Sequence, residues 1–430
     1  MKKNVLLLVL IGALLFSACA PAASTQAPQE AVSAGEQESA QQPEQSKEQV
    51  TITYAIWEQM QVEAHEQIIA AFEAKHPDIN VELQLVPWSE YWNKLQTSLA
   101  GGSSFDTFWM NGPNFQVYAS KGVLMDLQPM IEENNIDMSV FPKSLVDLYS
   151  YQGHSYGIPK DFDTIALFYN KDLFDAAGVE YPNENWTWDD LKAAAEKLTH
   201  DDVYGFATLV GDQNGYWNFV YQNGGKMLTD DAKQTLIAEP AACDAVKYLY
   251  SFVENKTAPD GSITTSVDPS TQMFPGGKLA MLTGGSWIAN FLHESDVNVG
   301  VAPLPKGKQR ATIIHGLSNV VWAKTKYPEQ AKQWVAFLGS KEAQNILAKT
   351  GAVIPAYEGM QQDWVNAIPD MDLQVFIDAT EYAVPYPTTA VGPEWSAKIM
   401  ETFGQVWAGN LPIDQACELA AEEANRALNQ

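Results

Sequence analysis

The chain has 430 residues, 46% of them hydrophobic and 13 of them tryptophan, which is too long for one ordinary core and too apolar for a disordered chain. Its formal charge is −27, and removal of Lys2 and Lys3 with a leader leaves −29, from 24 basic and 53 acidic residues. A field of that sign repels nucleic acid and anionic membrane and offers no steering to phosphorylated or acidic ligands, so nucleic-acid binding is set aside and neutral or cationic ligands remain.

The first residues, MKKNVLLLVLIGALLFSACAPAAS, carry two lysines, a twelve-residue apolar run over 5–16 and the small residues Ser17 and Ala18. This is the pattern of a secretory signal peptide, residues 1–18, with an apolar run too short to span a bilayer. Cys19 follows directly and resembles a bacterial lipobox, with Phe16 in place of the usual aliphatic residue. The resemblance implies that Cys19 becomes a lipidated N-terminus anchored to the cell membrane. The alternative is cleavage at an Ala-x-Ala site near Ala18 and Ala20, which gives a free protein. Residues 20–49 hold no aromatic, Leu, Ile or Met and are rich in Ala, Gln, Glu, Ser and Pro, so they read as a flexible tether reaching on the order of 30 Å. Cys243 and Cys417 lie in helix-like stretches; two buried free thiols are expected, and one disulfide is the alternative for an exported chain.

From Val50 the pattern becomes regular. VTITYAIW alternates Val50, Ile52, Tyr54 and Ile56 on one face as a strand does, and VEAHEQIIAAFEAKHP spaces Val62, Ile68, Ile69 and Phe72 as a helix does. INVELQLVPW alternates again with polar Asn80, Glu82 and Gln84, as an edge strand would. A helix through Tyr91, Leu95 and Leu99 stops at Gly101-Gly102, and FDTFWMN is a more buried strand. This alternation predicts a parallel sheet with crossover helices. Further on, TIALFYN reads as a strand, and NWTWDDLKAAAEKL opens with Thr187 followed three residues later by Asp190, a capping box. YGFATLV, KLAMLT, VNVGVAP and IIHGLSNVVWA are further strands, and PEQAKQWVAFLG is a helix. The prediction is an α/β protein with more than one sheet.

Trp57, Trp109 and Trp287 stand at or just beyond the ends of these strands, and Trp217 follows one after a polar turn. Ligands of open parallel sheets bind outside the carboxyl ends of strands, so the four are candidate ligand platforms, whereas Trp322 and Trp334 read as core. The stretch TGGSWIANF raises a second question, because a strand ending in glycines and a serine can be a nucleophile elbow. The G-x-S-x-G pattern fails around Ser286, where Ile288 replaces the last glycine, and around Ser318, where Val320 does. Among the six histidines there is no H-E-x-x-H and no close pair, so His315 reads as structural or as a single hydrogen-bonding group. There is also no phosphate loop and no dinucleotide fingerprint, so neither metal nor cofactor is expected.

The motif set as a whole resembles the family 1 extracellular solute-binding proteins of ABC transporters, the group that includes maltose-binding protein and many sugar-binding lipoproteins. FEAKHPDINVELQLVPW and AGGSSFDTFWMN match its opening elements. YSYQGHSYGIPKDFDTIALFYNKDLFDAAGV carries the most specific signal, with Gly153, Tyr156-Gly157-Ile158-Pro159 and Tyr169-Asn170-Lys171-Asp172 ahead of Phe174 and Gly178. TWDDL, FPGGKLAMLTGGSW, YPEQAKQWVAFLGSKEAQNILAKTGAVIPA and YPTTAVGPEW complete it in the family's order.

The resemblance implies a two-lobed periplasmic-binding-protein-like fold that closes over its ligand, with crossing segments near 160–163, 303–312 and 355–359. The first lobe would be 50–160 plus 305–357 and the second 161–304 plus 358–430. It further implies an extracytoplasmic monomer that delivers a neutral sugar or oligosaccharide to permease subunits. A sugar wants aromatic faces for its C–H surfaces and charged or amide groups for its hydroxyls. Trp57-Glu58, Trp109 with Asn111, Tyr216-Trp217, Trp287 and Glu394-Trp395 offer that pairing, and Asp161 and Asp163 point to one face of an extended segment. Asp163 is the hydroxyl contact that the resemblance favours, and Gly284-Gly285 are expected to let the backbone approach the ligand. A binder of a cationic osmolyte or polyamine, with an aromatic cage, is the first alternative. A secreted glycoside hydrolase is a weaker one, since no second carboxylate cluster is visible across a scissile bond.

Overall fold

The computed structural model describes residues 49–429; the leader, Cys19 and the tether up to residue 48 lie outside them. The first strand, Val50–Ile56, pairs in parallel with Ile79–Leu85 from Val50↔Ile79 through Ile56↔Leu85, and with Thr107–Asn111 on its other side. Ile52, Tyr54 and Ile56 are fully buried, as the alternation predicted. The helix Val62–Glu73 turns Ala64, His65, Ile68, Ile69 and Phe72 into this sheet. Ile79–Leu85 is an edge strand, which explains its polar alternation. Leu317–Val321 and Gly157–Pro159 extend the other side antiparallel, giving five strands in one mixed sheet.

A second sheet has three antiparallel strands, with Ile165–Asn170 between Met281–Gly285 and Val299–Ala302. The central strand is buried at every position, which accounts for its unbroken apolar run. Thr187 and Asp190 form the expected capping box at the start of Trp188–Leu198. Among the described residues no helix is long and apolar enough to cross a membrane.

Three expectations require correction. YGFATLV is not a strand: it touches the sheet only through the bridges Tyr204↔Leu279 and Ala207↔Leu282. Gly205 N–H donates to Thr199 Oγ1 at 3.0 Å and Phe206 N–H to the Thr257 carbonyl at 3.1 Å, so these donors are spent outside the sheet and no continuous ladder forms. IIHGLSNVVWA is two strands, because Thr312–Ile314 pairs with Ala383–Pro385 while Leu317–Val321 joins the large sheet. Cys243 and Cys417 are not free thiols. Their helices, Pro240–Glu254 and Ile413–Leu428, bring the two Cα atoms to 5.8 Å, and the sulfurs are bonded.

The two sheets are joined where three extended segments lie side by side. Lys160 N–H donates to the Leu317 carbonyl at 2.9 Å, Asp163 N–H to the His315 carbonyl at 2.8 Å, and Ala356 N–H to the Lys160 carbonyl at 3.2 Å. The stretch before the middle segment belongs with the three-stranded side: Lys306 N–H donates to Trp186 at 2.9 Å, Gln309 N–H to Gln222 at 3.1 Å, and Ile313 N–H to the Asn218 side chain at 2.9 Å. Residues 306–313 are thus tied to the three-stranded side, and the chain joins the five-stranded sheet from Leu317 onward.

Candidate functional site

A cavity of about 410 Å³ opens where the crossing segments meet the strand ends of both sheets. Trp57 and Glu58 reach it from the end of Val50–Ile56, Asn111 from the end of Thr107–Asn111, and Ser286 and Trp287 from the end of Met281–Gly285. Asp161, Asp163 and His315 come from the crossing segments, and Asp212, Gln213 and Asn214 from the turn that leads into the helix Trp217–Gln222. Strand ends and crossings are where backbone polarity and side chains are free to face a ligand, so the location agrees with the general rule for such folds.

Trp57 is held by aromatic rings set nearly at right angles to it, Tyr91 at 4.9 Å, Trp109 at 5.0 Å and Trp88 at 5.3 Å between centroids. Edge-to-face packing fixes the ring without covering all of it. Trp88, at the mouth, is 53% exposed. Asn111 caps the helix Gly112–Ser120 with its Oδ1, which accepts from the Asn114 backbone at 3.3 Å and its amide at 2.9 Å, and this leaves the Asn111 Nδ2 for other partners.

Lys160 is buried beneath the cavity with its ammonium 4.3 Å from the Trp109 ring centroid. It donates to Gln61 Oε1 at 2.7 Å and is paired with the Asp161 carboxylate, whose other oxygen accepts from Leu317 N–H at 2.9 Å. Burial lowers the Lys160 pKa, while Asp161 first and then Asp163 and Glu58 hold it up. This cation is engaged by its own neighbours. Asp163 takes a hydrogen bond from Gln213, and its pKa is pushed well above the usual carboxylate range by burial and by the charge of Asp161. Burial also raises Glu58, against the pull of backbone N–H groups and Lys160. His315 Nε2 accepts from Gly112 N–H at 3.2 Å, and burial lowers its pKa to about 4. Asp212 accepts hydrogen bonds from Tyr386 Oη and, at 2.9 Å, from Ser396 Oγ, and the Tyr386 ring packs on His315 at 5.0 Å, so the YPTTAVGPEW stretch supports the cavity from behind these two residues.

Of the residues expected in the site, Trp57, Glu58, Asn111, Asp161, Asp163 and Trp287 line the cavity. Trp109, Tyr216, Trp217, Glu394 and Trp395 do not. Trp109 lies inside its strand, facing the core, with Nε1 donating to Tyr54 Oη at 2.6 Å. Tyr216 is 1% exposed, and Trp217 opens a helix and packs flat against Trp395 at 5.5 Å and 15°, in the core beside the three-stranded sheet. Glu394 points to solvent from the first turn of Glu394–Trp407. Gln61, Trp88, Asp212, Gln213, Asn214 and His315 line the cavity as well, and of these Trp88, just past an alternating strand, is the one whose place in the sequence points to a ligand contact. Gly284 and Gly285 leave room for the protein's own side chains and not for a ligand backbone contact. A Cβ on Gly284 would lie 2.4 Å from Ile288 Cδ1, and one on Gly285 would lie 1.7 Å from Trp287 Cζ3.

Known proteins are similar to this chain in sequence and in fold. The profile of the family described as bacterial extracellular solute-binding protein matches residues 51–345. The arabinooligosaccharide-binding protein of Bacillus subtilis (strain 168) is 28% identical over 312 residues, which cover 65% of this chain and 68% of that protein. The maltodextrin-binding protein MdxE of the same organism is 27% identical over 316 residues, covering 70% and 71%. Among solved structures, the ABC substrate-binding protein Lmo0181 from Listeria monocytogenes, in complex with cycloalternan, is 30% identical and superposes with a TM-score of 0.85 over 89% of this chain and 100% of that one. Since the profile runs through both sheets and takes in every cavity-lining segment as far as Leu317, the chain belongs to the bacterial extracellular solute-binding protein family.

Proposed function

We propose that this protein captures a neutral sugar or oligosaccharide for an ABC importer, closing its two lobes over the ligand and delivering it to membrane permease subunits. The observation that carries the reading is one cavity that joins aromatic surface, from Trp57, Trp88 and Trp287, to the carboxylate and amide ends of Glu58, Asn111, Asp163, Asp212 and Gln213. Its volume falls in the range of about 300–1,000 Å³ typical of small-molecule sites. Lys160 is engaged by Asp161 and Gln61, so it offers little to an anionic ligand. The relatives named for arabinooligosaccharide and maltodextrin binding, and the neighbour solved with cycloalternan, support a carbohydrate.

The first lobe is taken as 50–160 with the segment from about 317 to 357, and the second as the remainder of the folded chain. The hydrogen bonds of 306–313 support that shift from the boundary at 305. The protein acts as a monomeric, non-catalytic binder, extracytoplasmic as its family is, and anchored through a lipid on Cys19. Cys19→Ser is expected to release it from the membrane fraction of its host; unchanged retention with normal maturation would remove the anchor.

Calorimetric titration against mono- and oligosaccharides tests the function, with a smaller radius by small-angle scattering when the right sugar binds. The carboxylates around the aromatic surface also suit a cationic osmolyte or polyamine, so betaine and spermidine belong in the same panel. Saturable binding of these with none of the sugars would overturn the carbohydrate reading. Release of cleaved product on prolonged incubation would overturn the non-catalytic one.

A further inference from the structure

We propose that Gly285 is a positioning residue: it exists to hold the Trp287 indole in the cleft, and by doing so it sets the affinity for the sugar. The proposal rests on the sugar-capture reading above. It answers why the strand Met281–Gly285 ends in glycine just before its tryptophan.

The backbone does not require glycine there. Gly285 has φ −85° and ψ 167°, ordinary extended values, and it pairs in the sheet with Ile165. The constraint is the ring. A Cβ on Gly285 would lie 1.7 Å from Trp287 Cζ3 and 2.2 Å from each of that atom's ring neighbours, Cε3 and Cη2. A carbon 1.7 Å from Cζ3 and as little as 2.2 Å from both of its neighbours stands above the ring plane at Cζ3 and not outside the rim in that plane. The indole therefore lies with one face on the Gly285 Cα, in space that any larger residue would occupy. No aromatic ring packs on Trp287 among the described residues, in contrast to the four around Trp57. Trp287 is half-buried and lines the cavity, so it presents indole surface to a ligand. Alanine at 285 must displace the ring, because the neighbour it meets is a rigid aromatic plane and not the end of a flexible chain.

Two variants and their combination test this, with binding and fold read separately. In protein labelled with 5-fluorotryptophan, the Trp287 resonance is assigned by its loss in Trp287→Ala. Gly285→Ala is expected to shift that resonance more than any other. It should also weaken the best sugar of the panel by at least about tenfold, the loss expected for removing an aromatic platform. The double variant Gly285→Ala with Trp287→Ala should bind within about twofold of Trp287→Ala alone, since both changes act through one side chain. Any loss of melting temperature in Gly285→Ala should be recovered in the double variant, where the ring that the methyl meets is gone. An unmoved Trp287 resonance overturns the proposal. So does a loss of affinity or melting temperature in Gly285→Ala that adds in full to that of Trp287→Ala. If the wild-type protein binds no sugar, the capture reading and the affinity half of the proposal fall together, and the fluorine spectrum alone judges the positioning half.

Discussion

His315 makes folding stability depend on pH in a way that can be worked out from its surroundings. It lies on the middle crossing segment, 6% exposed, with Nε2 accepting from Gly112 N–H at the start of a first-lobe helix. Burial lowers its pKa to about 4, against about 6.5 in an unfolded chain. The folded state thus holds the proton more weakly than the unfolded state, so stability present above about pH 6.5 is lost as pH falls toward 4. The gap amounts to at most about 3.4 kcal/mol, of which about 2 kcal/mol is lost between pH 7 and pH 5. Asp163, whose backbone is bonded to that of His315, works in the opposite direction, because its raised pKa favours the folded state as pH falls. Subtraction separates the two. Urea denaturation at pH 7, 6 and 5 should show the wild type losing about 2 kcal/mol more than His315→Gln, which keeps an acceptor but does not titrate. Parallel pH profiles for the two proteins would refute the argument.

Asp163→Asn should weaken sugar binding by about tenfold, as expected when a hydrogen bond to a cleft carboxyl is lost. It should also raise the stability of the sugar-free protein at pH 7, because burial and Asp161 disfavour the native carboxylate; the gain should vanish in acid, where Asp163 is protonated in both states. Calorimetry and thermal melts on one preparation read both signs. Reduction of the Cys243–Cys417 disulfide, or its replacement by two serines, opens a crosslink spanning 174 residues; chain entropy gives about 5 kcal/mol for a loop of that length, so a loss of about 2–5 kcal/mol is expected in denaturant unfolding. Trp395→Ala should cost about 3–5 kcal/mol of stability, since the ring is a stacked core residue and not a ligand contact. A loss of affinity without a loss of stability would return Trp395 to the cleft.

Much of the framework was legible along the chain, because it depends on local periodicity. The alternation in Val50–Ile56, the helical spacing of Ile68, Ile69 and Phe72, the unbroken apolar strand Ile165–Asn170 and the capping pair Thr187 and Asp190 each have a near-neighbour cause. Strand ends followed from that framework, and with them Trp57, Glu58, Asn111 and Trp287. The i, i+2 relation of Asp161 and Asp163 likewise put both on the cleft side of an extended segment. His315 fits the single hydrogen-bonding role expected of it.

What depended on distant parts of the chain was decided only by tertiary structure. Trp109, Trp217 and Trp395 have the same side chain as Trp57 and Trp287. Which of them meets core and which meets cavity depends on where a strand stops and which helix covers it. Asp212 and Gln213 sit in a turn with no periodicity, and their places in the site come from Tyr386, Ser396 and Asp163, between 50 and 184 residues away. The disulfide likewise needed two helices docked side by side across 174 residues. A one-dimensional pattern records which face of an element is apolar; it does not record what is packed against that face. That difference separates the residues read from the sequence from those found only in the fold.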